Sequence, residues 1–145
     1  AGGFAQQIQE IGTAAINRLN IKIFIFDDNG YASIRMTQSN YFNGNYVGCD
    51  ESTGLGLPNW RSLFEAWGIK LVCLDSDNFY ETEGFLREFN SNGVSVFLVP
   101  ISPDQTYFPK ISSRVTENGQ MQSNPIHKMT PELESDTAKN LEFSN

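Results

Sequence analysis

The sequence predicts an α/β fold, a doubly wound parallel sheet with helices on both faces. Three short runs of β-branched and aromatic residues, at 21–26, 69–74 and 94–99, are typical of strands buried in a parallel sheet. Segments with apolar residues at spacings of three and four lie before and between these runs, which indicates amphipathic helices. Because strands and helices alternate, the strands are expected to run parallel, joined by right-handed crossovers.

The sequence predicts four helices. They cover residues 4–19, 31–38, 60–67 and 75–90. In the third helix, Asn59 is expected to cap the first turn, and Gly68 is expected to end the last one. Trp60 and Trp67 lie seven residues apart in this helix and are predicted to be core residues.

The length of 145 residues suffices for one compact domain. We expect that domain at residues 1–110, followed by an irregular tail at 111–145 that wraps over a neighbouring domain or subunit or is partly disordered. The polar segment 39–58 is predicted to be a long surface loop, of a kind that is functional or poorly ordered. The chain opens at Ala1 in what resembles the middle of a motif. A fragment of a longer protein, truncated at the N-terminal side of the sheet, is therefore expected.

Composition excludes several classes of protein. The net charge of -7 and the pI near 4.6 argue against nucleic-acid binding, which needs a basic face. No run of about 18 apolar residues predicts a membrane span, and no signal peptide is visible at the start. The two cysteines, Cys49 and Cys73, are too few for a disulfide framework and suit free thiols in a reducing cytosol. A cytoplasmic protein is expected.

Two segments suggest a binding site at one edge of the sheet. Gly2 and Gly3 precede the first predicted helix, where backbone N–H groups can hold phosphate. Residues 27–30, Asp-Asp-Asn-Gly, follow the first predicted strand and supply oxygen atoms suited to Mg²⁺. Together they would form a magnesium–diphosphate site, because ligands of open α/β sheets bind beyond the carboxyl ends of the strands. The alternative is an ordinary turn and helix start that bind nothing.

The same segments resemble the thiamine-diphosphate enzymes, whose motif begins Gly-Asp-Gly and closes with Asn-Asn after the next strand. The runs Gly2–Phe4 and Gln9–Ile11 are similar to the beginning of that motif, and Phe26–Tyr31 is similar to its close. Further runs resemble the acetolactate-synthase-like branch of the family. They are Ile34-Arg35, Tyr41–Gly48, Leu57–Asn59 and Ala66–Lys70. The resemblance extends over about residues 2–110 and implies the fold predicted above.

The resemblance implies two cofactors, thiamine diphosphate and Mg²⁺. In the family the metal is held by the Asp of Gly-Asp-Gly, by the side chain of the second Asn, and by a backbone carbonyl two residues further on. The corresponding metal ligands here are Asp28 and the carbonyl of Gly30. The implied cofactor-binding residues are Gly2, Gly3, Phe4, Gly30, Tyr31 and Ala32. Gly2, Gly3 and Tyr31 are expected to offer backbone N–H groups to the diphosphate.

The chain departs from the family motif at two places. Ala1 stands where the motif has its Asp, so either the enzyme lacks that ligand or the true Asp was cut away; the second explanation is favoured. Asp27-Asp28 replaces Asn-Asn, which keeps an oxygen ligand and adds negative charge. Because the carboxylate is lost at the Ala1 position and the strand before it is truncated, cofactor binding by this fragment alone is expected to be weak.

The implied activity is that of a 2-oxo-acid carboligase, in which the cofactor carries the chemistry. The family's activating Glu lies on another domain of a partner subunit, so this chain is expected to hold no catalytic residue and to be inactive alone. Ile34 occupies the position at which aldehyde-releasing decarboxylases carry a Glu, which favours carboligation, a transferase activity. The alternatives are a decarboxylase or lyase of the same superfamily, and a non-catalytic oligomerisation module that keeps the fold.

The expected partners are another copy of the longer chain, in a dimer or tetramer, and a small 2-oxo acid. Binding to nucleic acid or to a membrane is not expected. Other residues receive simpler interpretations. His127 is predicted to be solvated or at an interface, and the acidic stretch 132–136 to be a solvated helix face. Tyr41, Phe42 and Tyr46 form either a loop that packs on a partner or closes over the site, or a plain loop cluster.

Overall fold

A computed structural model describes residues 2–125, 128–132, 134 and 137 of the chain. The chain divides into two compact units, the first ending at Gln105 and the second beginning at Thr106. Ala1, His127 and most of the acidic stretch 132–136 lie outside the described residues, so the predictions made for them remain predictions.

The first unit is built on a parallel sheet of three strands in the order β1-β3-β2. The strands are β1 (Lys22–Asp27), β2 (Lys70–Cys73) and β3 (Ser95–Pro100). The central strand pairs with both neighbours in parallel, with Ile25 opposite Leu98 and Leu71 opposite Val96. The predicted α/β class with a parallel sheet is confirmed, and each strand lies within one or two residues of its predicted run.

Five α-helices accompany the sheet. They are α1 (Gly2–Ala5), α2 (Glu10–Ile16), α3 (Ala32–Tyr41), α4 (Trp60–Ala66) and α5 (Glu83–Phe89). Short 3-10 helices lie at Glu51–Thr53 and Phe79–Glu81. No helix among the described residues is long and apolar enough to cross a membrane.

The predicted single helix 4–19 is wrong, because the segment forms α1 and α2 joined by tight turns. In these turns Glu10 N–H donates to the Gln7 carbonyl at 3.1 Å and Gly12 N–H to the Gln9 carbonyl at 3.0 Å. Such bonds span three residues and preserve nearly the same spacing of side chains as a helix, so the apolar pattern concealed the break. The second helix ends early, because Arg18 turns left-handed at φ 50° in a Schellman motif.

The other helices show which local signals are reliable. The Asn59 side chain accepts from Ser62 N–H at 3.0 Å, as predicted, and Gly68 ends α4 at φ 68° with Ile69 N–H bonded to the Phe64 carbonyl. The predicted helix 75–90 begins late, at Glu83. Thr82 rather than an earlier residue caps it, accepting from Phe85 N–H at 3.3 Å.

Two apolar clusters cover the two faces of the sheet. One face carries the larger cluster, which comprises Ile11, Ile25, Trp60, Phe64, Ile69, Leu71 and Val96. The other carries Leu74, Phe85 and Phe97. Each fully buried side chain of this size contributes roughly 1.5–3 kcal/mol to folding. The core prediction is confirmed for Trp60 but wrong for Trp67, which is 36% exposed and lies over Gly12 at the edge of the cluster.

The described residues of the second unit contain two short antiparallel strand pairs where the sequence predicted an irregular tail. Strand β4 (Lys110–Ile111) pairs with β7 (Met129–Thr130), and β5 (Ser113–Val115) with β6 (Met121–Ser123). The β5–β6 hairpin turns at Asn118-Gly119, with Gly119 at φ 74°. Asn-Gly is a strong hairpin signal, and the sequence analysis overlooked it among the polar residues.

Candidate functional site

The turn between β1 and α3 is organised by the Asp28 carboxylate. Its two oxygens accept from Gly30 N–H at 3.2 Å and from Ala32 N–H at 3.1 Å. Asn29 between them takes a left-handed conformation at φ 56°, which Asn tolerates better than most residues. The carboxylate therefore satisfies donors at the start of α3 and is held in one place at the carboxyl end of a parallel strand.

A cavity of about 270 Å³ joins this turn to α1. Its lining residues are Gly2, Gly3, Gln6, Asp28, Tyr31, Ala32, Ser33 and Ile34. The structure thus brings together the two segments that the sequence analysis placed in one site. Asp28 is the charged residue of the lining, and the rest of the surface consists of small, polar or apolar groups.

The two glycines of α1 differ in what surrounds them. The Tyr31 ring packs directly on Gly2, so that a Cβ at Gly2 would overlap the ring. A Cβ at Gly3 would meet no protein atom within 4 Å, although Gly3 lines the cavity. Gly2 is therefore required for packing, whereas Gly3 leaves open the space that a ligand needs. Both glycines lie inside α1, whereas the sequence predicted them before the first helix.

Other predicted cofactor residues are placed differently from the expectation. The N–H of Tyr31 donates to the Cys49 carbonyl at 2.8 Å, so the diphosphate donor expected there is already occupied. The Phe4 ring packs in the core, 5.8 Å from the Trp60 ring and 5.9 Å from the Phe64 ring, and leaves only backbone atoms for a ligand. Gly30 is buried beside Asp50 in an isolated β-bridge and does not line the cavity.

Two lining residues, Gln6 and Ser33, were absent from the sequence-based site. Gln6 follows Gly2 by four residues, so a helical turn from the predicted glycine pair could have indicated it. Ser33 lies between Ala32 and Ile34 in the first turn of α3, beside residues that the analysis did single out.

A segment that we name the clasp, Cys49–Thr53, holds the turn through backbone contacts. Asp50 is its centre: the Asp50 Oδ1 atom accepts from Thr53 N–H at 3.0 Å, and its Oδ2 lies 2.8 Å from Arg35 Nη1. Hydrogen bonds from Ser52 and Thr53, together with the charge of Arg35, hold the pKa of the Asp50 carboxyl below its usual range. The Asp50 side chain is therefore a carboxylate at neutral pH, held by Thr53 and Arg35.

A second cavity of about 260 Å³ lies beside the same turn and is lined in part by Asp27, Asn29 and Glu51. The two neighbouring carboxylates Asp27 and Asp28 therefore face different spaces. Neither they nor any other described residues form a group of three or more His, Cys, Asp or Glu side chains that could hold a metal without further ligands. Cys49 and Cys73 are both free thiols, as predicted.

Comparison with known families shows where this chain belongs. Residues 1–99 match the family described as thiamine pyrophosphate enzyme, C-terminal TPP binding domain. The chain belongs to this family. The matched residues include β1, β2, all five helices, the clasp and every lining residue of the 270 Å³ cavity of this TPP-binding domain.

A curated relative supports a more specific similarity. The chain is 22% identical to the acetolactate synthase of Arthrospira platensis over 113 residues. The match covers 77% of this chain and 19% of that protein, so the chain spans about a fifth of its relative's length.

The residues of the cavity fit the diphosphate and metal that the family implies. Gly3 leaves open space at the cavity surface, which allows the close backbone approach that a diphosphate requires. Asp28 supplies the hard carboxylate oxygen that Mg²⁺ prefers.

Proposed function

We propose that this TPP-binding domain, within the full-length protein, holds the thiamine diphosphate and Mg²⁺ of a 2-oxo-acid carboligase resembling acetolactate synthase. The observation that carries the proposal is the cavity that joins Gly2 and Gly3 to Asp28 in a chain of this family. The similarity to the Arthrospira platensis acetolactate synthase supports the class of reaction.

In this proposal the residues in and beside the cavity have separate roles. Asp28, which lines the cavity, would hold the metal together with the carbonyl of Gly30, which lies beside the lining in the same turn. Gly2, Gly3 and the backbone of Phe4 would approach the diphosphate. Ala32 and the Tyr31 ring shape the cavity wall beside it. When bound, thiamine diphosphate supplies the carbon nucleophile and the electron sink for breaking and forming bonds next to a carbonyl. The domain binds and orients the cofactor, and the general acid–base groups come from elsewhere in the full-length protein.

Calorimetric titration of thiamine diphosphate into the full-length protein tests the proposal. We expect binding in the presence of Mg²⁺ and at least a tenfold weaker affinity in EDTA, because the diphosphate reaches the carboxylate through the metal. Absence of binding in both conditions contradicts the proposal and leaves the non-catalytic oligomerisation module, an alternative that the Ala1 and Asp27 departures from the family motif motivate.

The competing reaction, release of an aldehyde by a decarboxylase or lyase, is disfavoured by Ile34. This side chain lines the cavity and carries no proton to donate to a product. We expect the Ile34→Glu variant to raise the ratio of aldehyde to carboligation product severalfold when 2-oxo acids are supplied. Ile34→Gln is the matched control, since glutamine has nearly the size of glutamate and is polar but carries no acidic proton. An equal rise in both variants, or none in the Glu variant, removes this argument for carboligation.

The remaining parts of the proposal concern the assembly. We propose a homo-oligomer of the full-length chain, a dimer or tetramer, in the cytoplasm, acting on a small 2-oxo acid and binding neither nucleic acid nor membrane. The acidic net charge and the two free thiols support this environment.

A further inference from the structure

We propose that Arg35 is a positioning residue for the cofactor site, acting through Asp50 and the clasp. The inference rests on the proposed function, because the site positioned is the magnesium–diphosphate cavity. Neither Arg35 nor Asp50 lines that cavity. Arg35 lies in α3, one residue beyond the lining residue Ile34, and Asp50 lies in a loop that sequence analysis assigned no ligand.

Backbone contacts connect the clasp to the proposed metal ligands. Tyr31 N–H donates to the Cys49 carbonyl at 2.8 Å, and Gly30 pairs with Asp50 in the β-bridge. The approach is so close that a Cβ at Gly30 would overlap the Cys49 carbonyl oxygen. A displacement of the clasp therefore displaces Gly30, whose carbonyl is one proposed ligand. It also disturbs the turn whose Gly30 N–H donates to Asp28, the other proposed ligand.

Side-chain contacts then fix the clasp to α3. Arg35 Nη1 lies 2.8 Å from Asp50 Oδ2, and the Tyr46 ring lies under the guanidinium with 4.4 Å between Cζ and the ring centroid. Asp50 is itself immobilised, because its Oδ1 accepts from Thr53 N–H and from the Ser52 hydroxyl at 2.7 Å. Turn, helix and clasp thus form a closed ring of contacts around the first turn of α3.

The burial of the ion pair separates it from an ordinary surface pair. The Arg35 and Asp50 side chains are 27% and 24% exposed, and an exposed acid–base pair typically contributes little. Groups that orient metal ligands without touching the metal typically change metal affinity 10- to 100-fold when removed. A positioning role therefore predicts a loss of metal affinity out of proportion to the loss of stability.

The test measures the Mg²⁺ concentration that half-saturates thiamine diphosphate binding in the full-length protein, together with the melting temperature without cofactor. We expect Arg35→Ala to raise that concentration about tenfold or more. Lys70→Ala is the control, because it breaks an ion pair of the same 2.8 Å length, to Glu88, and neither residue lines the cavity or belongs to the clasp. It is expected to lower the melting temperature while leaving the Mg²⁺ requirement unchanged.

Two further variants keep the test decisive if Arg35→Ala folds poorly. Asp50→Asn keeps an oxygen for Thr53 N–H but removes the charge, and it is expected to raise the Mg²⁺ requirement as Arg35→Ala does. Arg35→Lys is expected to restore part of the affinity. If Asp50→Asn leaves the Mg²⁺ requirement unchanged, or if Lys70→Ala raises it as much as Arg35→Ala does, the positioning role is contradicted while the proposed function still stands. Absence of cofactor binding by the unmodified protein contradicts the proposed function and this inference with it.

Discussion

Replacement of Asp28 by alanine is expected to abolish magnesium-dependent binding of thiamine diphosphate by the full-length protein. Asp28 is the charged residue in the cavity lining, and Mg²⁺ depends on such hard oxygen ligands. We expect the affinity to fall on the order of 100-fold, about 3 kcal/mol, when titrations with Mg²⁺ are compared. The residual affinity should no longer respond to EDTA.

Two neighbouring variants show whether that loss is specific. Asp28→Asn keeps one oxygen, which can serve the metal and one of the two N–H donors, Gly30 or Ala32, so it is expected to lose less affinity than Asp28→Ala. Asp27→Ala removes the same charge from the preceding residue, which lines the second cavity, and should change affinity by no more than a few fold. If Asp27→Ala loses as much affinity as Asp28→Ala, Asp28 is not the specific metal ligand.

Asp28→Ala is also expected to lower the stability of the fold. The carboxylate accepts from Gly30 N–H and Ala32 N–H at the start of α3, and loss of one such hydrogen bond costs about 1 kcal/mol. Thermal unfolding without cofactor measures this cost separately. Asp28→Asn keeps one of the two acceptor oxygens and is therefore expected to lose less stability than Asp28→Ala. A loss of Mg²⁺ binding in Asp28→Asn that exceeds this smaller loss of stability separates metal ligation from hydrogen bonding within the turn.

The strands and the turn after β1 were predictable because their signals are local. Runs of β-branched residues identified β1, β2 and β3, and Asp-Asn-Gly identified the turn. The central place of β3 could not be read from the sequence, since strand order depends on pairing between segments about 70 residues apart, such as Lys22 and Ser95. The break between α1 and α2 escaped detection because tight turns and helices bury apolar residues at nearly the same spacing.

The cavity was partly predictable for the same reason. The glycine pair and Asp28 were found because each is a short motif at a place where α/β folds bind ligands. The clasp was missed because its effect depends on contacts across the loop, above all Tyr31 with Cys49 and Arg35 with Asp50. One local signal did exist: Asp50 and Thr53 have the spacing of a capping box, and the structure contains that box.

Substitution of Gly3 by leucine is expected to block cofactor binding without destabilising the fold. A Cβ at Gly3 meets no protein atom within 4 Å, so the side chain enters space beside the cavity that Gly3 lines. Glycine inside a helix costs about 1 kcal/mol relative to a good helix former, so the folded protein should be as stable as before or slightly more so. We expect thiamine diphosphate affinity with Mg²⁺ to fall at least tenfold, corresponding to about 1.4 kcal/mol.

Gly84→Leu is a close control for this experiment. Gly84 is the second residue of α5, as Gly3 is the second residue of α1, and a Cβ there also meets nothing within 4 Å. Both variants therefore change helix propensity alike, but only Gly3 of the two lines the cavity. Loss of affinity in Gly3→Leu alone would locate the diphosphate against α1. Unchanged affinity in both variants would move it away from the glycine pair, even if Asp28 proved to be a metal ligand.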